Sequence, residues 1–262
     1  MDSNSDPPAE SDSPSAVSHQ PVAATRRPTP LERAVALLEV LVCSDYPTQL
    51  ALVATFAAFG FRPLAGGRLS LGYVTVLSIA DTAFLIALMV FFLRAHGERP
   101  RDVFVGRRPA GAEVLLGVPL TVLTLGIAIA ALTAVQRLAP WLHTVAHNPL
   151  QDLIASPGQA AVFGVVVVVA GGVREEMQRA FLLHRFEAWL GGATVGLVVT
   201  SIAFGAGHFD LQGADAAITT ALLGACWGIV YLWRRSAIAP IVSHAAFDLL
   251  QILVVHFVAL RR

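Results

Sequence analysis

The sequence predicts an all-α fold, a polytopic transmembrane bundle of about 7–8 helices. Three observations predict it. The first is composition: 55% of the 262 residues are hydrophobic and 14% charged, with a mean hydropathy of +0.66. Soluble domains carry roughly 25% charged residues. The second is where the charges lie. Eight of the 36 (Asp2, Asp6, Glu10, Asp12, Arg26, Arg27, Glu32 and Arg33) fall in the first 33 residues. The other 229 residues hold 28, about 12%, too few to cover a water-facing surface. The third is the alternation of long apolar runs with short breaks bearing Arg, Gly or Pro. An open sheet leaves its backbone unpaired in lipid, so such runs read as helices.

Residues 1–30 are rich in Ser, Pro, Asp and Ala and have no apolar period, so they read as a disordered tail. They begin acidic, with no apolar run behind them, unlike a signal peptide. Residues 31–262 read as the integral membrane domain. A span needs about 20 residues, and seven stretches are candidates: 34–61, 69–93, 110–135, 158–189, 193–208, 214–233 and 237–260. Pro47 divides the first into two potential pieces. Gly191 and Gly192 read as the turn between the fourth and fifth.

Arginine placement orients the bundle. One face gathers Arg26, Arg27, Arg33, the five arginines from Arg94 to Arg108, then Arg185, Arg234 and Arg235. The other has Arg62, Arg68, Arg137, Arg261 and Arg262. Eleven against five places the N-terminus in the cytoplasm; the expected location is the cell membrane. A net charge of zero offers no basic field, which argues against nucleic acid as a partner. Cys43 and Cys226 both lie in apolar runs, which argues against a disulfide scaffold or a cysteine zinc site.

An ionisable group inside a membrane helix costs roughly 2.5–3.5 kcal/mol on the insertion scale, so each one needs a reason. Glu39, Asp45, Asp81 and Glu113 are isolated in the sequence and read as structural. His256 reads the same way, while His143, His147 and His184 suit loops or interfaces. The C-terminal half differs. Glu175, Glu176 and Arg179 follow an unbroken apolar run. Arg179 is i+4 from Glu175 and i+3 from Glu176, so it reaches either carboxylate. Phe204-Gly205-Ala206-Gly207-His208 ends the next stretch, with small residues that suit close helix approach. His244 and Asp248 share a face of the last. Scarce polar groups on three successive helices point to one shared site.

Distance along the chain tests this convergence. Glu175, Glu176 and His208 each stand about 16 residues from the Gly191-Gly192 turn, roughly 24 Å. His244 and Asp248 stand only about 14 and 20 Å from the Arg234-Arg235 turn, a poorer match.

In their order and spacing these motifs resemble the CPBP family, the CAAX prenyl protease-like and bacteriocin-processing intramembrane endopeptidases also called abortive-infection proteins. The resemblance covers about residues 157–251. It implies a membrane-embedded protease, glutamic or metallo in type. Glu175 and Glu176 match the paired glutamates, one of which activates the attacking water. His208 matches the histidine that helps hold that water. His244 and Asp248 match the motif that stabilises the oxyanion or orients the site. Two departures stand out: Arg179 is three residues after Glu176 where the family has four, and Asp248 replaces the usual Asn. An ionised Asp accepts but does not donate. No cofactor is certain. A divalent metal such as zinc is the alternative, with Glu175, His208 and His244 as its ligands.

The expected partners are the lipid bilayer and a peptide or protein substrate. The leading expectation is thus an endopeptidase with a Glu-activated water. A non-catalytic immunity or scaffold protein of the same fold is the runner-up. A small transporter ranks last, because transporters show repeated halves with broken helices.

Overall fold

The computed structural model describes residues 27–145 and 148–259. Most of the expected tail, His147, Arg261 and Arg262 lie outside the described residues. Helix α1 (Pro30–Val42) starts where Thr29 and Glu32 cap one another's backbone, with Pro30 in the first turn. The chain bends by 45° after it, at Asp45, whose φ of 79° is left-handed. Helix α2 (Tyr46–Ala58) restarts with Pro47 in its first turn. The expected break near Pro47 is therefore real. A two-stranded hairpin, β1 (Leu64–Ala65) and β2 (Arg68–Leu69), leads into α3 (Leu71–Ala95), which Ser70 caps. Helices α4 (Pro100–Phe104) and α5 (Ala110–Leu138) follow.

After two short 3-10 turns, α6 (Pro157–Val166) runs into a π-helical stretch, Val167–Glu175, and on into α7 (Glu176–Trp189). Gly191 and Gly192, at φ 102° and 98°, make the expected turn. Then come α8 (Ala193–Ala206), α9 (Phe209–Gln212), α10 (Ala214–Arg234) and α11 (Ile238–Ala259). Helices α3, α5, α10 and α11 are long and apolar enough to cross a membrane, and the α1–α2 pair, bent by 45°, passes the same test only when its two helices are taken together. The all-α polytopic class stands, but beside the bent first stretch two more of the seven expected spans differ from plain spanning helices. Stretch 158–189 is divided by the π-helical coil, and 193–208 yields a helix of 14 residues.

The molecule is inverted relative to a soluble protein. Leu50, Phe59, Leu115 and Ile202 are exposed, whereas Glu39, Asp81, Glu113, Arg174, Glu176, Arg179, Arg185 and His244 are buried. Apolar side chains facing outward and charges paired inside suit a lipid solvent.

Ion pairs pin the loops at two ends. At the arginine-rich end Arg235 forms a two-pronged pair with Glu187. Arg234 Nη2 meets Glu113 Oε1 at 2.6 Å, and Ala237 N–H donates to Phe104 O at 2.9 Å. At the other end Arg68 meets Asp152 at 3.0 Å, and His143 meets Asp215 at 2.8 Å. Helix α10 packs on α8 and α5, and α11 packs on α5 and the π-helical stretch.

Candidate active site

The π-helical stretch sets the site. A Cβ on Gly171 would stand 2.6 Å from Asp248 Oδ2, and one on Gly172 would stand 2.7 Å from Ala245 Cβ. Only glycine lets this coil lie so close to α11. A π-helical turn also re-aims the residues at its end, a recurrent feature of functional sites. The residue at its end is Glu175.

The two adjacent glutamates occupy different environments. The Glu176 side chain is 1% exposed, paired with Arg179 and bonded to His244 Nδ1 at 2.8 Å. The Glu175 side chain is 19% exposed and borders a cavity of about 350 Å³. Arg174 Nη2 donates to Glu175 Oε1 at 3.0 Å. Glu175 Oε2 lies 3.8 Å from His244 Nε2, which is also 3.6 Å from Asp248 Oδ2.

His244 is fixed from three sides. Its ring stacks on Trp227 at 4.0 Å and 15°, and Phe204 meets it edge-on at 6.0 Å. Glu176 holds Nδ1, which must donate because a carboxylate only accepts. Trp227 is anchored in turn by Nε1 donating to Ser243 Oγ at 3.1 Å. His208 lines the same cavity, and its Nδ1 donates to Phe204 O at 2.8 Å. In the neutral ring this leaves Nε2 as an acceptor.

All six expected site residues are thus brought together. Glu175, His208, His244 and Asp248 line the cavity, while Glu176 and Arg179 stand behind its wall. Of Arg179's two potential partners the structure selects Glu176. The guanidinium also lies 4.4 Å over the Phe204 ring, which suits a buried cation. The apparent depth mismatch of His244 has a simple origin. The level is set by the Glu187–Arg235 pair, not by the glycine turn. From that pair Glu176 and His244 stand 11 and 9 residues away, roughly 16 and 14 Å.

Residues 157–250 match the family model described as type II CAAX prenyl endopeptidase Rce1-like. The match bears out the family resemblance, over nearly the residues that carried it. No curated protein and no solved structure matches the chain. The description is that of an endopeptidase family, so the matched Rce1-like segment is similar to that of a protease.

Several contributors to the Rce1-like segment's site were missed in the sequence. Arg174 is the clearest. It bonds Asp45 at 2.5 Å, Asp81 at 3.0 Å and Glu175 at 3.0 Å. Asp45 and Asp81 are therefore not isolated; they anchor the cation that holds Glu175. Glu39 and Glu113 are likewise paired, with Arg185 and Arg234, and His256 Nδ1 meets Ile154 O at 3.3 Å. The adjacency of Arg174 to the glutamates was the available signal; Trp227 offered none.

The metal alternative finds no support in the geometry. Among the described residues no group of three or more His, Cys, Asp or Glu side chains is placed to hold an ion.

Proposed function

We propose that the chain is an intramembrane endopeptidase of the cell membrane, with its N-terminus in the cytoplasm, acting on a membrane-associated peptide or protein. The observation that carries this reading is the contrast between the two glutamates: Glu175 reaches the cavity, and Glu176 is locked behind it. Glu175 is the base. A water between Glu175 and His208 gives one proton to Glu175 Oε2, while His208 Nε2 accepts its other hydrogen bond. The water oxygen adds to the peptide carbonyl carbon, and the carbonyl oxygen takes the negative charge. His244 donates to that oxyanion from Nε2 when its ring is protonated. Asp248, an acceptor, orients His244. The C–N bond then breaks, and Glu175 returns its proton to the leaving nitrogen. The products are one new carboxyl group and one new amine.

Glu176 and Arg179 act through His244, holding Nδ1 protonated and the ring in place. Proteomic comparison of membranes carrying wild type or Glu175→Gln tests the reading. New peptide termini should appear with wild type alone. Full cleavage by both Glu175→Gln and His208→Ala would overturn it. Partner binding that survives both substitutions, with no cleavage by wild type, would favour the scaffold alternative.

A further inference from the structure

The break between α1 and α2 lies against the site, and it is strained. Asp45, at φ 79° and ψ −40°, is one of two non-glycine residues with positive φ among the described residues. Such a conformation costs energy and persists only where its surroundings hold it. An Asp just before a helix ordinarily caps it, but Asp45 makes no such bond to α2. Its Oδ2 instead meets Arg174 Nη1, with Gln49 Nε2 donating to the same oxygen at 3.2 Å. A second contact docks the break: Gln178 Nε2 donates to Cys43 O at 2.7 Å. Arg174 and Gln178 are four residues apart and so share a face.

Every nitrogen of the Arg174 guanidinium is thereby committed. Nε donates to Ala170 O at 3.2 Å, Nη1 meets Asp45 and Asp81, and Nη2 is left for Glu175. A guanidinium and a carboxylate with nothing else to satisfy often pair through two parallel hydrogen bonds. Arg235 and Glu187 do so in this chain. Glu175 receives one such bond from Arg174, on Oε1. Oε2 is left facing His244 Nε2 at 3.8 Å, beside the cavity. Asp45 and Asp81 both lie outside the 157–250 segment, so this restraint on the site comes from the N-terminal half of the chain.

We infer that Asp45 is a positioning residue for Glu175. Held on Arg174 Nη1 by the strained break, it keeps the guanidinium from closing on both carboxylate oxygens, and so leaves Oε2 open to the water. Asp81 shares the task from α3. The inference rests on the reading of Glu175 as the base.

Asp45→Gly tests it, because glycine adopts a φ of 79° without strain. The thermal midpoint should hold or rise, while kcat on a peptide the wild type cleaves falls roughly 10–100-fold and KM stays near wild type. A double-mutant cycle with Arg174→Lys reads the route, since lysine has no fork to close on Glu175. In that background Asp45→Gly should cost about threefold or less. Wild-type kcat in Asp45→Gly overturns the inference, and so does an equal fold-loss in both backgrounds, whatever the midpoint does. Dicyclohexylcarbodiimide, an apolar carboxyl reagent, gives a readout without substrate. Its adduct at Glu175, located by mass spectrometry on the full chain in detergent, should form several-fold more slowly in Asp45→Gly, because Arg174 then takes up the second oxygen. Equal or faster labelling overturns the inference. Full turnover by Glu175→Gln would sink the base reading instead, and the labelling would still show whether Asp45 restrains Arg174.

Discussion

Two buried clusters of Arg, Glu and His sit on opposite ends of α7, and the one at its N-terminal end borders the cavity described above. At the C-terminal end Arg185 meets Glu39 Oε2 and Glu98 Oε2, each at 2.6 Å. His96 and His184 complete it at 2.7 Å from Glu39 and Glu98. Phe181 and Trp189 cover the guanidinium at 4.8 and 5.0 Å. This cluster joins α1, the α3–α4 loop and α7, and every carboxylate has a cation or imidazole. At the N-terminal end Glu176 is equally well held, but Glu175 has one oxygen on Arg174 and the other toward the cavity. Buried charge alone therefore does not mark a site. A carboxylate left half-engaged beside open space does.

The largest expected effect separates the two clusters by activity. Glu175→Gln should lower turnover by roughly 10²–10⁴-fold, the range a positioned acid–base group supplies, and leave the thermal midpoint in detergent nearly unchanged. Arg185→Met should do the opposite. It strands Glu39 and Glu98, and breaking a buried pair from one side costs about 3–5 kcal/mol. Turnover per folded molecule should stay near wild type. If Arg185→Met instead lost turnover at full stability, the division between a structural and a chemical cluster would fail.

How far the sequence went follows from the same contrast. The three motifs on successive helices were legible because polar groups in apolar runs are few, and a periodicity of 3.6 places them on faces. The orientation of Arg179 was legible for that reason too. The α1–α2 bend was legible from Pro47. What sequence could not supply was pairing across long separations. Arg174 meets Asp45 and Asp81 from other helices, and spacing carries no trace of that. The π-helical stretch was hidden for a different reason. Its valines and glycines satisfy an apolar-run test as well as any α-helix does, and the wider coil emerges only when Gly171 and Gly172 meet α11. The apparent depth mismatch of His244 came from measuring from the turn when Glu187 and Arg235 set the level.

A smaller effect should come from that close approach. Gly171→Ala would put a methyl group 2.6 Å from Asp248 Oδ2. Overpacking of this kind costs about 1–3 kcal/mol. The nearest thing to give is a flexible carboxylate, so part of the cost should appear as displacement of Asp248 and a loss of turnover, with a modest drop in midpoint. Gly126→Ala is the control, since no atom lies within 4 Å of its added Cβ. Equal turnover in both variants would show that the π-helical contact does not tune the site.

The smallest effect belongs to the other cluster and is read by pH. Burial alone would push the Glu98 carboxyl up. The hydrogen bonds and charges of His184 and Arg185 outweigh it and hold Glu98 below its ordinary 4.5. A carboxyl lowered in the folded state adds stability that is fully present above its unfolded value and is lost as pH falls through the folded one. Wild type should therefore lose midpoint on acidification below about pH 4.5, and Glu98→Gln should flatten part of that slope while starting from a lower midpoint at neutral pH. Glu98 lies in the loop after α3 and away from the cavity, so the substitution should leave turnover at neutral pH as it is. A Glu98→Gln chain with the wild-type acid slope would mean that this cluster's carboxylates are not the ones whose protonation loosens α7.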